Sequence, residues 1–341
     1  MKKITVGLIG FGFAAEVFHI PLIQAVEGLQ LTAIATSRPE QVKAKFSQVQ
    51  TFPTAAELIA QSDIDLVIIT APNLQHFPLA QLALQHGKHI VVEKPFVIES
   101  AQGQVLIDLA QEQHCLLSVY QNRRWDNDFL ALQNCIAQQQ LGDIYYYECR
   151  FERYRPVTSG KWREQDLPGS GKLYDLGSHL IDQALCLFGW PLSIYAEIAS
   201  LRPNAKTDDY FHILLDYPQL KVVLHSSQLV KEPGPRFTVH GSKGSFLKYG
   251  FDPQEKFLSL NHKLVPEILQ PALDNTLIIT GETSQTSHLA GGRYQSYYEE
   301  IYQALITPGK APPVTATQAL QTIQLIELAI QSDQRREKIY L

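Results

Sequence analysis

Three short stretches of the chain carry side chains whose type and spacing could do chemistry. The first is Gly10-Phe11-Gly12-Phe13-Ala14-Ala15, directly after the β-rich run Ile4, Val6, Leu8, Ile9 and directly before a helical pattern. Strand, tight turn and helix start in that order mark a dinucleotide-binding unit. Gly10 permits the sharp turn, Gly12 lets the backbone approach a pyrophosphate, and Ala15 lets the helix lie close against its strand. The free N–H groups of the helix start then face the phosphates. The second stretch is Glu93-Lys94-Pro95-Phe96, at the end of the apolar run Ile90-Val91-Val92. A lysine straight after a buried strand, locked by a following proline, does not read as a snorkelling surface residue. The third is Tyr174-Asp175-Leu176-Gly177-Ser178-His179-Leu180-Ile181-Asp182. On a helix, Asp175 and His179 stand one turn apart on the same face, with Asp182 close to it. Such a pair makes either a structural hydrogen bond or an acid–base couple, and the residues alone leave both open.

The elements that would position these groups alternate in type. Leu29 to Thr36 reads as a second strand, returning parallel to the first through a right-handed crossover. Its end is where a ribose is read, and instead of a carboxylate it offers Thr36-Ser37-Arg38. Without that carboxylate nothing repels a 2′-phosphate, and Ser37 and Arg38 can bind one, so NADP is expected in preference to NAD. The bland alternative makes Arg38 a solvated residue opening a helix whose first turn holds Pro39. Asp65 to Thr70 and Lys88 to Val92 read as buried parallel strands separated by a helix from Asn73 to His86. The turn Ala71-Pro72-Asn73-Leu74-Gln75-His76 leaves the carboxyl edge of the sheet, where ligands bind; His76 could face a cofactor, and Asn73 could simply cap the helix. A helix from Glu99 to Gln113 and a strand from Cys115 to Val119 then deliver Tyr120-Gln121-Asn122-Arg123-Arg124-Trp125 to the same edge. Arg123 or Arg124 would touch a ligand or make an interdomain salt bridge. Trp125, Phe129, Leu132 and Ile136 form a helical stripe, which is more often core than site.

From Asp143 the pattern changes to long strands. Ile144 to Tyr154 is aromatic and alternating. A loop from Arg155 to Gly171 follows, long enough to suggest function, and contains Lys161-Trp162-Arg163. Five further strands are expected, at Ile194 to Ser200, Tyr210 to Asp216, Lys221 to Ser227, Arg236 to His240 and Ser245 to Tyr249, each antiparallel to the last. Such a sheet leaves a face to be covered; a second copy of the chain is the expected cover, and solvent is the alternative. Thr207-Asp208-Asp209-Tyr210 is a candidate substrate loop. Residues 261–292 carry few signals and suggest an irregular hairpin. Helices are expected from Tyr294 and over Thr317 to Gln331. The fold class is therefore α/β: an N-terminal Rossmann parallel sheet at 1–120, then at 121–341 an α/β domain with a large, mostly antiparallel open sheet.

Composition narrows the function. A length of 341 residues predicts two domains. A net charge of −5 lacks the basic footprint of a general nucleic-acid binder. Met1-Lys2-Lys3 leads straight into the first strand, and no segment is apolar long enough to span a bilayer, so a cytoplasmic protein is expected. Cys115, Cys135, Cys149 and Cys186 lack the spacing of zinc or redox pairs and are expected to be reduced and mostly buried. No metal is needed to explain the candidate site.

The glycine motif, the Asn73/His76 turn and Glu93-Lys94-Pro95 together resemble the Gfo/Idh/MocA family of nicotinamide-dependent sugar and polyol oxidoreductases. The resemblance implies that Lys94, Asp175 and His179 form a catalytic triad and that the Lys94–Pro95 bond is cis. It places Trp162 and Arg163 over the cofactor, with Gly10, Gly12, Phe13, Ala14, Ala15, Thr36, Ser37, Arg38, Pro72, Asn73, His76, Glu93, Lys94 and Arg123 around it. Lys94, Trp125, Tyr154, Asp175 and His179 are the expected substrate contacts. Asn122-Arg123-Arg124-Trp125-Asp126, Phe151 to Pro156, Tyr210-Phe211-His212 and His240 to Ser245 resemble the branch holding NADP-dependent scyllo-inositol dehydrogenases. Two other functions share these features: an NAD-dependent glycoside hydrolase of the superfamily, and a non-catalytic NADP-binding regulator. An intact Lys94, Asp175 and His179 set speaks against the regulator.

Overall fold

The computed structural model describes residues 2–61, 63–264, 272–280, 283–289 and 291–341. Its contacts separate two units, one formed by Met1–Trp125, Pro253–Ile268 and Arg293–Leu320, the other by Asp126–Asp252, Leu269–Gly292 and Gln321–Leu341. Chain order places a boundary at 120/121; by contacts the first unit also takes in two later segments. The reason is visible in the helix Tyr294–Ile306, where the Tyr302 hydroxyl donates to the Lys2 carbonyl at 2.8 Å. A Cβ on Gly28 would lie 2.1 Å from the Tyr302 ring, so only glycine lets that ring lie there.

The first unit is built on six parallel strands: β1 (Ile4–Ile9), β2 (Leu29–Ala35), β3 (Gln50–Phe52), β4 (Leu66–Ile69), β5 (His89–Glu93) and β6 (Leu117–Tyr120), in the order β3-β2-β1-β4-β5-β6. Every residue of β4 is buried, as a strand covered on both faces requires. The crossover helices are α1 (Ile20–Gln24), α2 (Pro39–Lys45), α3 (Ala55–Ile59), α4 (His76–Gln85) and α5 (Ser100–Glu112). Strand β3 and helix α3 escape the sequence pattern because each is a single short turn or ladder without periodicity. Leu8, Phe11, Ala15, Ile20, Ile34 and Val42 pack as one cluster, so the small Ala15 does sit where helix and strand meet.

The second unit holds nine strands among the described residues: β7 (Ile144–Glu152), β8 (Ser193–Ala199), β9 (Tyr210–Asp216), β10 (Lys221–Ser227), β11 (Phe237–Gly241), β12 (Gly244–Lys248), β13 (Ala272–Thr280), β14 (Thr283–Leu289) and β15 (Ile339–Tyr340). Their order is β14-β13-β12-β11-β7-β10-β9-β8-β15. The expectation that each strand pairs antiparallel with the one before fails at one place. Strand β7 is inserted between β10 and β11, parallel to β10 and antiparallel to β11, so those two never meet. Hydrophobic alternation reports which face a residue takes, and carries no information on which neighbour a strand chooses. The hairpin expected in 261–292 is β13 with β14; the rest of that segment lies partly outside the described residues. Helix α6 (Asn127–Ala137) begins two residues after Trp125, and its buried stripe is Phe129, Leu132 and Cys135, with Ile136 only half-buried. Of the four cysteines, all free, Cys135 and Cys149 are buried, Cys115 is half-buried and Cys186 is exposed, so half rather than most are buried. No described helix is long and apolar enough to cross a membrane.

Candidate active site

At the glycine turn the first strand ends and the chain reverses. Gly10 has φ +96°, and a Cβ there would stand 2.9 Å from Thr70 Oγ1, so the position admits only glycine. A Cβ on Gly12 would meet nothing within 4 Å: the space over the turn is open. Phe13 is exposed and Ala14 half-buried, and residues Ala15–His19 then form a wider π-turn ahead of α1. At the end of β2, Thr36 is buried and its Oγ1 accepts the main-chain N–H of Arg38 at 3.0 Å, leaving Ser37 and Arg38 exposed. Arg38 occupies the N-cap position of α2 with Pro39 following, yet its guanidinium donates back to the Phe11 carbonyl. The helix-start role and the proximity to the glycine turn therefore hold together.

Lys94 stands half-buried on the turn that follows β5, and the Lys94–Pro95 bond is cis, as the resemblance implies. Glu93 Oε2 accepts the main-chain N–H of Lys94 at 2.8 Å, and Oε1 lies 2.9 Å from His19 Nε2. Burial opposes charge on Glu93, but the His19 hydrogen bond and the surrounding positive groups outweigh it and hold the carboxyl below its ordinary range. His76 is buried, with Nδ1 2.7 Å from the Pro95 carbonyl and Nε2 3.0 Å from the Ala71 carbonyl. Burial lowers its pKa, against the pull of those carbonyls and of Glu93. Both carbonyls can only accept, so a ring with a single N–H donates to one of them at a time, and both ring nitrogens face main chain at the Lys94 turn. Asn73 is not the helix cap suggested by its type: it is the first residue of a 3₁₀ turn whose N-cap is the exposed, extended Pro72. Arg123 pairs with Glu255 at 2.8 Å inside the first unit, so the salt bridge is intradomain. Arg124 reaches Gln318 at 3.1 Å. The Trp125 ring packs edge-on to Tyr297 at 5.5 Å, in the core.

In the second unit the helix carrying Asp175 and His179 is not regular. Leu173–Gly177 is a π-turn, and α7 (Ser178–Phe188) begins only after it. The wider turn carries Asp175 out of strict one-turn register with His179, which the i, i+4 spacing could not reveal. Asp175 is half-buried, with Lys172 Nζ at 3.4 Å and Arg163 Nε at 3.8 Å. His179 and Asp182 are buried. The Arg163 guanidinium lies 4.5 Å over the Trp162 ring, a cation–π pair. Tyr154 is 52% exposed.

In the segment Thr207 to Tyr210, a candidate substrate loop by sequence, two carboxylates bind the chain itself. Asp208 Oδ2 accepts the N–H of Leu173 at 2.7 Å, capping the start of the π-turn, and its carbonyl accepts the N–H of Lys172 at 3.1 Å. Burial raises the Asp208 carboxyl to about 6, although these amides favour its charge. Gly171, at φ +92°, makes room: a Cβ would fall 1.8 Å from Asp208 Oδ1. Asp209 binds Arg202 Nε at 2.9 Å, while Arg202 Nη2 pairs with Glu164 at 3.0 Å and Nη1 donates to the Arg155 carbonyl at 3.3 Å. Sequence reasoning missed Arg202 because its three partners lie 7 to 47 residues away. His19 was missed likewise; its proximity to the glycine motif was the available signal.

Residues 4–121 match the model of the oxidoreductase family NAD-binding Rossmann fold, and residues 133–341 match that family's C-terminal alpha/beta domain. The chain belongs to the Gfo/Idh/MocA oxidoreductase family. It is 43% identical to the oxidoreductase YdgJ of Escherichia coli over 99% of both chains. It is 39% identical to the scyllo-inositol 2-dehydrogenase (NADP(+)) IolW of Bacillus subtilis, covering all of this chain and 97% of that one. An oxidoreductase structure from Yersinia pestis superposes with a TM-score of 0.94 at 41% identity, over 100% of this chain and 97% of the other. As a Gfo/Idh/MocA member the protein is an NAD(P)-dependent dehydrogenase acting on CH–OH groups. The first unit fits the dinucleotide: Gly10 makes the turn, open space lies over Gly12, and hydroxyl and guanidinium groups end β2.

Proposed function

We propose that this dehydrogenase uses NADP in preference to NAD and acts on a secondary alcohol of a cyclic polyol or sugar, as a scyllo-inositol dehydrogenase does. The observation that carries the cofactor preference is the end of β2, where the exposed Ser37 and Arg38 replace a carboxylate and Arg38 turns toward the glycine turn. Full-length similarity to an NADP-dependent scyllo-inositol dehydrogenase supports the substrate class.

The bound dinucleotide supplies the hydride acceptor in oxidation and the donor in reduction. The chain supplies orientation and proton handling. His179 takes the alcohol proton in oxidation and returns it in reduction, being a side chain whose ordinary pKa lies near neutrality. The Lys94 ammonium hydrogen-bonds the reacting oxygen and stabilises negative charge developing on it. Asp175, flanked by Lys172 and Arg163, orients His179 or accepts from a neighbouring hydroxyl. Trp162 and Arg163 shelter the reacting face, and Tyr154 offers an exposed ring to the substrate. Two copies pair through the open face of the nine-stranded sheet.

Absorbance of reduced nicotinamide tests this directly, with NADP or NAD and a panel of inositols, aldoses and other cyclic polyols. Turnover is expected with NADP and an inositol. Lys94→Ala should lower kcat on that substrate by on the order of a hundredfold or more. Arg38→Ala should raise KM for NADP by about tenfold and leave that for NAD nearly unchanged. Equal use of both cofactors would overturn the preference, and full activity in Lys94→Ala would overturn the mechanism.

A further inference from the structure

Behind Lys94 lies a line of buried polar groups that the mechanism above does not use. The Tyr298 hydroxyl is hydrogen-bonded to His19 Nδ1, His19 Nε2 lies 2.9 Å from Glu93 Oε1, and Glu93 Oε2 accepts the main-chain N–H of Lys94 at 2.8 Å. His19 and Tyr298 are fully buried. One proton arrangement satisfies every member. Tyr298 donates to Nδ1, the imidazole donates from Nε2 to an ionised Glu93, and Glu93 accepts the Lys94 amide. The Tyr120 ring lies 4.4 Å from that of His19 and 5.9 Å from that of Tyr298, and Tyr297 packs edge-on to Tyr120 at 4.8 Å, so aromatic contacts fix the imidazole's plane. On the far side of the cis bond, the Pro95 carbonyl is held by His76.

We propose that His19 and Tyr298 are positioning residues for Lys94, acting through Glu93. The array does two things. It aims the Glu93 carboxylate so that the Lys94 main chain is held from beneath, as His76 holds Pro95 from the other end. It also keeps a negative charge in a buried place directly beside the Lys94 main chain. The placement explains why a histidine stands in the π-turn immediately after the glycine motif. The extra residue in that turn brings His19 to Glu93 while Ala15 stays against β1. The groups facing Glu93 are His19 from the π-turn, Lys94 from its own strand end, His76 from the start of α4, and Tyr297 and Tyr298 from the helix Tyr294–Ile306, with Tyr120 beside His19. Burial holds Tyr297 and Tyr298 neutral far above ordinary pH, so the Glu93 charge is stabilised by His19 first, through its hydrogen bond, and then by Lys94 and His76.

This role rests on the catalytic function proposed for Lys94, so its test carries a second readout that does not depend on turnover. The variants are His19→Leu, which removes both hydrogen bonds, and Tyr298→Phe, which removes one oxygen and is the milder change should His19→Leu fail to fold. With NADP and the inositol that turns over, His19→Leu should lower kcat by on the order of ten- to a hundredfold at nearly unchanged KM. It should also move the acidic limb of the kcat profile up by about one pH unit, because Glu93 then loses its charge more easily. Tyr298→Phe should shift both in the same direction by less. A parallel loss of kcat, KM and Tm with an unmoved acidic limb would show a merely structural role and overturn the proposal. The second readout is Tm against pH, without substrate. In the wild type Glu93 is depressed, so its contribution is present above its unfolded pKa and lost as pH falls. In His19→Leu the buried carboxylate lacks its partner and costs stability over that same range. The gap in Tm should therefore widen as pH rises from 4 to 7, and a gap constant with pH would overturn the proposal. Silence of the wild type on the whole substrate panel would count against the proposed function, while the Tm profile would still decide the array.

Discussion

Asp208 is a carboxylate placed where its charge is costly. It caps the π-turn that precedes α7, yet burial raises its pKa to about 6. The sign of its effect follows. Between its unfolded value and about 6 the native protein binds more protons than the unfolded chain, so its contribution to stability falls as pH rises through that window. Asp208→Asn keeps an acceptor for the Leu173 amide and removes the charge. Relative to wild type the variant should be unchanged near pH 4 and more stable by about 1–2 kcal/mol at pH 7, allowing for partial exposure. Thermal melts at several pH values would show this, and a difference that does not grow with pH would exclude it. Asp128 obeys the same logic: burial and the neighbouring Asp126 raise it to about 6 as well, so the pH dependence of Asp208 is best read as a variant-minus-wild-type difference.

At the scale of the element, the loop from Arg155 to Gly171 is held at defined points rather than left to solvent. Arg202 ties Glu164 and the Arg155 carbonyl to Asp209, at the start of β9, while Glu164 accepts from the Ser159 hydroxyl at 2.6 Å. These bonds hold the Glu164 carboxyl near 2 even though burial alone would raise it. Arg202→Met leaves Asp209 buried without its cation and should cost about 3–5 kcal/mol. It should also speed trypsin cleavage after Lys161 and Arg163, because the loop loses its clasp. Arg202→Lys should not restore protection, since one ammonium cannot reproduce a planar fork with three separate contacts. Wild-type rates of cleavage in Arg202→Met would show that the loop is held by other means. The two π-turns belong to this scale too. Each lies directly before a helix and itself holds a candidate site residue, Ala15 in the first and Asp175 in the second, and a π-turn departs from the register that a 3.6-residue repeat predicts.

For the molecule as a whole, strand β9 in the sheet of the second unit alternates between a buried and an open face. Along β9, Phe211, Ile213 and Leu215 are buried, while Tyr210, His212 and Leu214 alternate with them and remain partly exposed. On that open side His225 stands 5.2 Å from the Tyr210 ring and 5.7 Å from His212, and Tyr146 stacks on His240 at 5.8 Å. If two copies pair there, light scattering will give about twice the 38.4 kDa chain mass. Leu214→Glu should then shift the protein to a monomer, and a wild-type monomer would remove the pairing. The parallel sheet, the glycine turn and the Lys94 turn were legible because each rests on local rules. Buried parallel strands read as continuous apolar runs, and only glycine tolerates the φ of Gly10. The long strands were legible one by one, as alternation. Their order was not, because β7 enters between β10 and β11 by hydrogen bonds that any backbone can make. The partners of His19, Arg202 and Asp208 were equally hidden. Side-chain hydrogen bonds and ion pairs form between groups brought together by the fold, and an isolated histidine, arginine or aspartate reads the same whether it will meet water or a buried partner. Sequence alone therefore determined the class of fold and the chemical types at the site, while tertiary structure decided what holds each of them in place.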